Sequence, residues 1–127
     1  MTVERLGSGG PYEERYGYSR VVRVGPWLLT AGCTSTVDGE VAHVGDSAAQ
    51  TREAFGVALA ALAKLGAGPA DVVRTRMYVT PDADTDAVGR AHGGIFGAVR
   101  PAATLVTVAG LVHPDLLVEV EVEAYLG

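Results

Sequence analysis

The chain reads as an α+β domain in which two helices cover one face of a mainly antiparallel sheet. Three features of the sequence predict this class. Val118-Glu119-Val120-Glu121-Val122-Glu123 alternates strictly, as a strand with one buried face must. Behind Asp46, the residues Phe55, Ala58, Leu59 and Leu62 recur at i, i+3, i+4 and i+7, the period of an amphipathic helix. Gly25-Pro26 and Asp38-Gly39 lie beside β-branched or apolar stretches and signal tight turns. At 127 residues, a single domain spanning 1–127 is expected.

The elements follow in order. Arg20 to Val24 and Trp27 to Cys33 form a hairpin around Gly25-Pro26. The Asp-Gly pair marks a second turn, because it readily takes the positive φ that such a turn needs. Asp46 is a suitable N-cap for the first helix, which stops at Gly66 and Gly68. Asp71 to Val79 alternates, with Val73, Thr75, Met77 and Val79 expected on one face and Arg74, Arg76 and Tyr78 on the other. The acidic run Asp82 to Asp86 suits the positive end of a second helix, whose apolar side carries Val88, Ala91, His92 and Ile95. Two strands, Thr104 to Val108 and Leu117 to Tyr125, close the chain. The opening Gly7 to Pro11 reads as a loop.

Composition excludes several function classes. Ten Lys and Arg against fifteen Asp and Glu give a formal charge of −5, with no basic cluster to meet phosphates, so nucleic acid is not an expected partner. A lone cysteine cannot close an internal disulfide, and the longest apolar run, Val57 to Ala63, falls far short of the ~20 residues needed to span a bilayer. A cytoplasmic protein without membrane partners is the expectation. His43, His92 and His113 lie far apart and none is spaced to share a metal with Cys33, so no metal site is expected. Glycine is abundant, 17 residues, and aromatics are few, so the core must be built mainly of Ala, Val and Leu. A ligand pocket is then expected at a surface groove or between subunits.

The carboxylates of the last strand are the main chemical feature. They form either a solvated face neutralised by Arg74 and Arg76, or a face buried against a neighbouring subunit, where a glutamate could orient water or carry a proton. Cys33 is either a small buried apolar group or a thiol lining a cleft, and His92 either a hydrogen-bonded core residue or an acid or base.

Taken together, Tyr18-Ser19-Arg20-Val21-Val22-Arg23-Val24-Gly25, Leu28-Leu29-Thr30-Ala31-Gly32, Gln50-Thr51-Arg52, Asp71 to Thr80, Phe96 to Ala102 and Val118 to Glu121 resemble the Rid family. These are the reactive-intermediate deaminases, also called YjgF-like or L-PSP proteins. The resemblance implies a chorismate-mutase-like subunit, a homotrimer with small-molecule clefts between subunits, and hydrolysis of an enamine or imine without metal or organic cofactor. It implies Tyr18 as a cleft-lining tyrosine and Glu119 as the residue that positions water. The family's carboxylate-gripping Arg falls at Ala103. A charge-assisted hydrogen bond to a carboxylate contributes roughly 1.5–3 kcal/mol, so Ala103 implies a different ligand or a substitute such as Arg76, Arg90 or Arg100. Ala31 replaces a usual Ser, Gly89 a common Asn and His92 a common aromatic. The expected site therefore comprises Glu119, His92 and Cys33 as catalytic candidates, with Tyr18, Ala31, Gly32, Arg76, Arg90, Arg100 and Ala103 around the ligand. Two functions follow from it: a Rid-like enzyme acting on a small imine, enamine or carbonyl intermediate, including a biosynthetic tailoring variant, or a non-catalytic ligand-binding or regulatory trimer. The endoribonuclease label carried by some relatives is disfavoured by the negative charge.

Overall fold

The computed structural model describes residues 2–127. Eight strands and three α-helices follow one another as β1 (Val3–Leu6), α1 (Pro11–Tyr16), β2 (Val21–Val24), β3 (Trp27–Thr30), β4 (Thr36–Val37), β5 (Glu40–Val41), α2 (Ser47–Lys64), β6 (Val72–Val79), α3 (Thr85–Phe96), β7 (Ala102–Thr107) and β8 (Val118–Tyr125). The main sheet has six strands in the order β1-β2-β3-β8-β6-β7, and β4 and β5 form a separate small hairpin. Every pairing in the main sheet is antiparallel except β6 with β7, which α3 connects as a parallel crossover.

Strand β8 lies in the interior of the sheet between β3 and β6. Its Val118, Val120, Val122 and Ala124 are fully buried, together with Phe55, Ala58 and Leu62 of α2 and Val88 and Phe96 of α3. Glu119, Glu121 and Glu123 turn to the opposite, outer face, as the two-residue period requires.

Both long helices begin on an aspartate cap. Asp46 Oδ1 accepts from Ala49 N at 3.0 Å, and Asp84 Oδ1 accepts from Ala87 N at 3.0 Å. The buried Gln50 ties α2 to the loop before β8: its Nε2 donates to the Asp115 carbonyl at 2.9 Å and the His43 carbonyl at 3.2 Å, and its Oε1 accepts from Leu117 N at 2.8 Å. In the small hairpin, Asp38 and Gly39 adopt φ of 52° and 81°, the conformation the Asp-Gly signal predicts.

Three details differ from the sequence reading. The opening segment carries β1 and α1 rather than a plain loop; β1 shows no buried alternation and is held by its ladder to β2, and α1 starts on Pro11 and ends on Gly17 in the left-handed conformation. The second hairpin strand ends at Thr30, and Cys33 rejoins the sheet through an isolated bridge to Val120. A bulge between Val72 and Arg74 shifts the register of β6, so Val72 enters the core and Val73, expected inside, is exposed.

Replacing Gln50 by Leu leaves the Leu117 amide and two carbonyls without their partner, and a loss of roughly 2–4 kcal/mol is expected from orphaned buried polar groups. Asp46→Ala, which removes a single capping bond, is expected to cost only about 1 kcal/mol. Urea unfolding of the two variants checks the ranking.

Candidate functional site

The outer sheet face carries two kinds of carboxylate. Arg76 Nη1 donates to Glu123 Oε1 at 3.2 Å, and Arg74 Nε lies 4.0 Å from the other oxygen of Glu123. Tyr78 donates its hydroxyl to Glu121, which raises the tyrosine's pKa above its ordinary value. Glu123 is thus neutralised and Glu121 is capped. Among the described residues, no basic group is bonded to Glu119, whose register partner is Tyr78. Burial pushes its pKa above the usual glutamate value; the nearby Glu121 charge adds to the rise, and Arg20 opposes it. A half-buried carboxyl of this kind keeps its proton to higher pH than a solvated glutamate, as a proton carrier must.

Glu119 is packed against the backbone of Gly32. A Cβ at position 32 would collide with Glu119 Oε2, so a glycine is required by the close approach of the carboxyl. On one side of Gly32, Ala31 N donates to the Arg20 carbonyl at 2.9 Å. On the other, Cys33 pairs with Val120 through both backbone bonds, 2.7 and 2.9 Å, which turns its side chain towards the core. The Cys33 thiol is buried, donates to the Ala31 carbonyl at 3.3 Å and has its pKa raised by burial, so it is a protonated thiol in this subunit.

Arg20 completes this group. Its Nη1 donates to the Gly32 carbonyl at 2.5 Å and lies 3.6 Å from Cys33 Sγ, its Nε donates to Glu13 at 3.2 Å, and its guanidinium sits 5.6 Å from the centre of the Tyr18 ring. Tyr18, Arg20, Gly32, Cys33 and Glu119 therefore converge on one end of β8. Sequence reasoning missed Arg20 and Glu13 as members of the group. Arg20 lies at a bend just before β2, so no strand period tied it to Tyr18, and nothing local pointed to Glu13.

The other candidates lie elsewhere in the subunit. His92 faces the helix side of the sheet, where Thr75 Oγ1 and its Nε2 are 2.8 Å apart and its ring packs against Phe55 and Phe96 at 5.6 and 4.9 Å. Burial lowers its pKa, which leaves the imidazole neutral at pH 7. Ala103 is the register partner of Thr75 on β7 and is exposed, so it shares the His92 neighbourhood rather than that of Glu119. Arg76 is held by Glu123, and Arg90, exposed on α3, pairs with Asp86 at 2.8 Å. Arg90 also borders a depression of about 430 Å³ between α2 and α3, on the helix side of the sheet. Arg100 is exposed with φ of 58° just before β7. One subunit thus brings Tyr18, Ala31, Gly32 and Glu119 together, with the Cys33 side chain turned inward beneath them, and keeps His92 and Ala103 on the helix side of the sheet. Among the described residues, no three His, Cys, Asp or Glu side chains are grouped to hold a metal ion, and no helix is long and apolar enough to cross a membrane.

Residues 12–126 match the family model described as endoribonuclease L-PSP. The chain belongs to this family, which is also called YjgF-like or Rid. It is similar to the uncharacterized protein SCO2049 of Streptomyces coelicolor, at 44% identity over 98% of this chain and 93% of the relative. It is also similar to the 3-aminoacrylate deaminase RutC of Acinetobacter baylyi, at 35% identity over 70% of each chain. Among solved structures, Rv2704 of Mycobacterium tuberculosis, a member of the YjgF/YER057c/UK114 family, superposes with a TM-score of 0.87 at 44% identity, covering 98% of this chain and 99% of that one. The α+β fold is therefore that of the L-PSP proteins.

Gly32→Ala is expected to expel the Glu119 carboxyl from its place and return its proton affinity towards that of a solvated glutamate, which a ¹³C NMR titration of the side chain measures. Because the folded state binds the Glu119 proton more tightly than the unfolded chain does, the stability from this group is full below the ordinary glutamate range. It declines as pH rises towards the elevated folded value. Glu119→Gln should flatten that part of the stability profile, as read by unfolding midpoints across pH 4 to 8, a span of roughly the ordinary range and the physiological one.

Proposed function

We propose that the protein is a Rid-like hydrolase that converts a small imine or enamine to a carbonyl compound and ammonia, in clefts formed between the subunits of a homotrimer. The observation that carries this reading is Glu119: a half-buried carboxyl with raised proton affinity, set against the Gly32 backbone and in the field of Arg20, with no basic residue bonded to it among the described residues. Family membership and the similarity to a 3-aminoacrylate deaminase support it.

The chemistry requires one proton carrier and one water. Protonated Glu119 gives its proton to the imine nitrogen, and the resulting carboxylate takes a proton from water as the oxygen bonds to the imine carbon. The same proton then passes to the amino group, the C–N bond breaks with its electrons leaving on nitrogen, and ammonia departs as the C=O bond forms and the hydroxyl proton returns to the Glu119 carboxylate. Water supplies the oxygen, nothing is oxidised or reduced, and Glu119 ends as it began. An enamine enters the same sequence after a proton is added at carbon.

The trimer joins the two neighbourhoods that one subunit separates. In this reading, Tyr18, Ala31, Gly32 and Glu119 of one copy, with Cys33 beneath them, face His92, Arg100 and Ala103 of the next. Exposed Trp27, Leu29 and Tyr125 on the outer sheet face support self-association, since these are large apolar groups on the same face as the glutamates. Cys33 acts by packing beneath Gly32, and neutral His92 as a hydrogen-bonding wall.

A second reading, a non-catalytic ligand-binding trimer, is favoured by one observation: Ala103 cannot grip a carboxylate. Both readings predict a solution mass near three times the 13.1 kDa subunit by light scattering. They separate on turnover. With imines generated by an amino-acid oxidase, the hydrolase accelerates imine loss, and Glu119→Gln lowers kcat by about 10²–10⁴-fold, the usual contribution of a positioned acid or base. No acceleration with any imine would support the binding trimer; gain of 2-iminobutyrate hydrolysis on Ala103→Arg would show that the rest of the machinery is intact, and no gain would support loss of the original reaction.

A further inference from the structure

The N-terminal part of the chain is fastened to the site through one buried ion pair. Glu13 is 7% exposed although it lies on α1, a helix of six residues whose other residues are exposed. Its carboxylate accepts from Ser8 N at 2.8 Å, from Ser8 Oγ at 2.5 Å and from Arg20 Nε at 3.2 Å. Burial opposes the charge on Glu13, but these bonds outweigh it and the net pKa is lowered, so the pair is ionised. Arg20 carries the connection onward to the Gly32 carbonyl and the Cys33 sulfur, and stacks by Tyr18. The titratable and charged groups around Arg20 are therefore Glu13 from α1, Tyr18 from its own segment, Cys33 from the end of the β3 segment and, by its field, Glu119 from β8.

We propose that Arg20, anchored by Glu13, is the positioning residue of the cleft, holding Tyr18 and the Gly32–Cys33 edge in place around Glu119. This rests on the reading of Glu119 as the proton carrier. Three features support it. The guanidinium spends Nε on the anchor and Nη1 on the Gly32 carbonyl, so both ends of the link are directional bonds rather than a diffuse attraction. The Gly32 backbone is the surface against which the Glu119 carboxyl rests, so a shift of that carbonyl moves the carboxyl. Arg20 also carries a positive charge that opposes the upward drift of Glu119's proton affinity. Arg20 thus acts through Gly32, Tyr18 and Glu119.

The test uses the full-length chain and three variants. In Arg20→Gln, the NMR titration of Glu119 should move upward, because an opposing charge is lost, and kcat/KM should fall at least about tenfold. Arg20→Lys keeps the charge and loses the fork, so it should restore the titration but not kcat/KM. Glu13→Gln leaves Arg20 present but unanchored, and should broaden or shift the Tyr18 ring resonances. If Arg20→Gln does not fold, the other two variants carry the test. Wild-type Glu119 titration, Tyr18 resonances and kcat/KM in every folded variant would overturn the proposal, leaving a strut that changes only melting temperature. If the wild-type protein turns over no imine, the Glu119 titration and the Tyr18 resonances still decide the positioning role, independently of the hydrolase reading.

Discussion

The two-residue period of β8 is the constraint on which the rest of the structure depends. A strand between two others, with helices on one side, must send alternate side chains into the core, and a slip of one residue would bury three carboxylates in place of the valines. The cost of an unpaired buried carboxylate makes that alternative inaccessible. Register with β6 follows, and with it the placement of Arg74, Arg76 and Tyr78 opposite Glu123, Glu121 and Glu119.

From that register the three glutamates acquire different fates. Arg76 reaches diagonally to Glu123 instead of bonding its direct partner Glu121, and Tyr78 then takes Glu121. Glu119 is left at the end of the ladder, where Gly32 lets the β3 segment approach closely. A carboxyl with no cation bonded to it, partly withdrawn from water, keeps its proton to higher pH than a solvated one. The chemical individuality of Glu119 is thus a consequence of where the ladder runs out of partners, and Arg20 limits how far that drift goes.

The core and the site divide the sheet between them. His92 and Cys33 are both polarisable groups turned to the helix side, one fixed by Thr75 and two phenylalanine rings, the other by a backbone bridge to Val120. Glu119 and its glycine occupy the outer side. A 127-residue chain with a core of small aliphatic residues has no room to fold one of these sets around the other.

Local pattern alone was enough to determine the α+β class, the Asp46 cap of α2, the acidic start of α3, the Asp-Gly turn and the two faces of β8, because each depends on residues near in sequence and on a fixed period. Nothing local said that Arg20 would sit by the Tyr18 ring or that Glu13 would anchor it. The inward turn of Val72 and the exposure of Val73 came from a bulge that no alternation reveals. Likewise, that Glu119 rather than Glu121 or Glu123 would be the carboxyl without a bonded cation was decided only in tertiary structure. Three identical side chains on one alternating strand differ only in what the neighbouring strands place against them, and those neighbours lie tens of residues away in the chain.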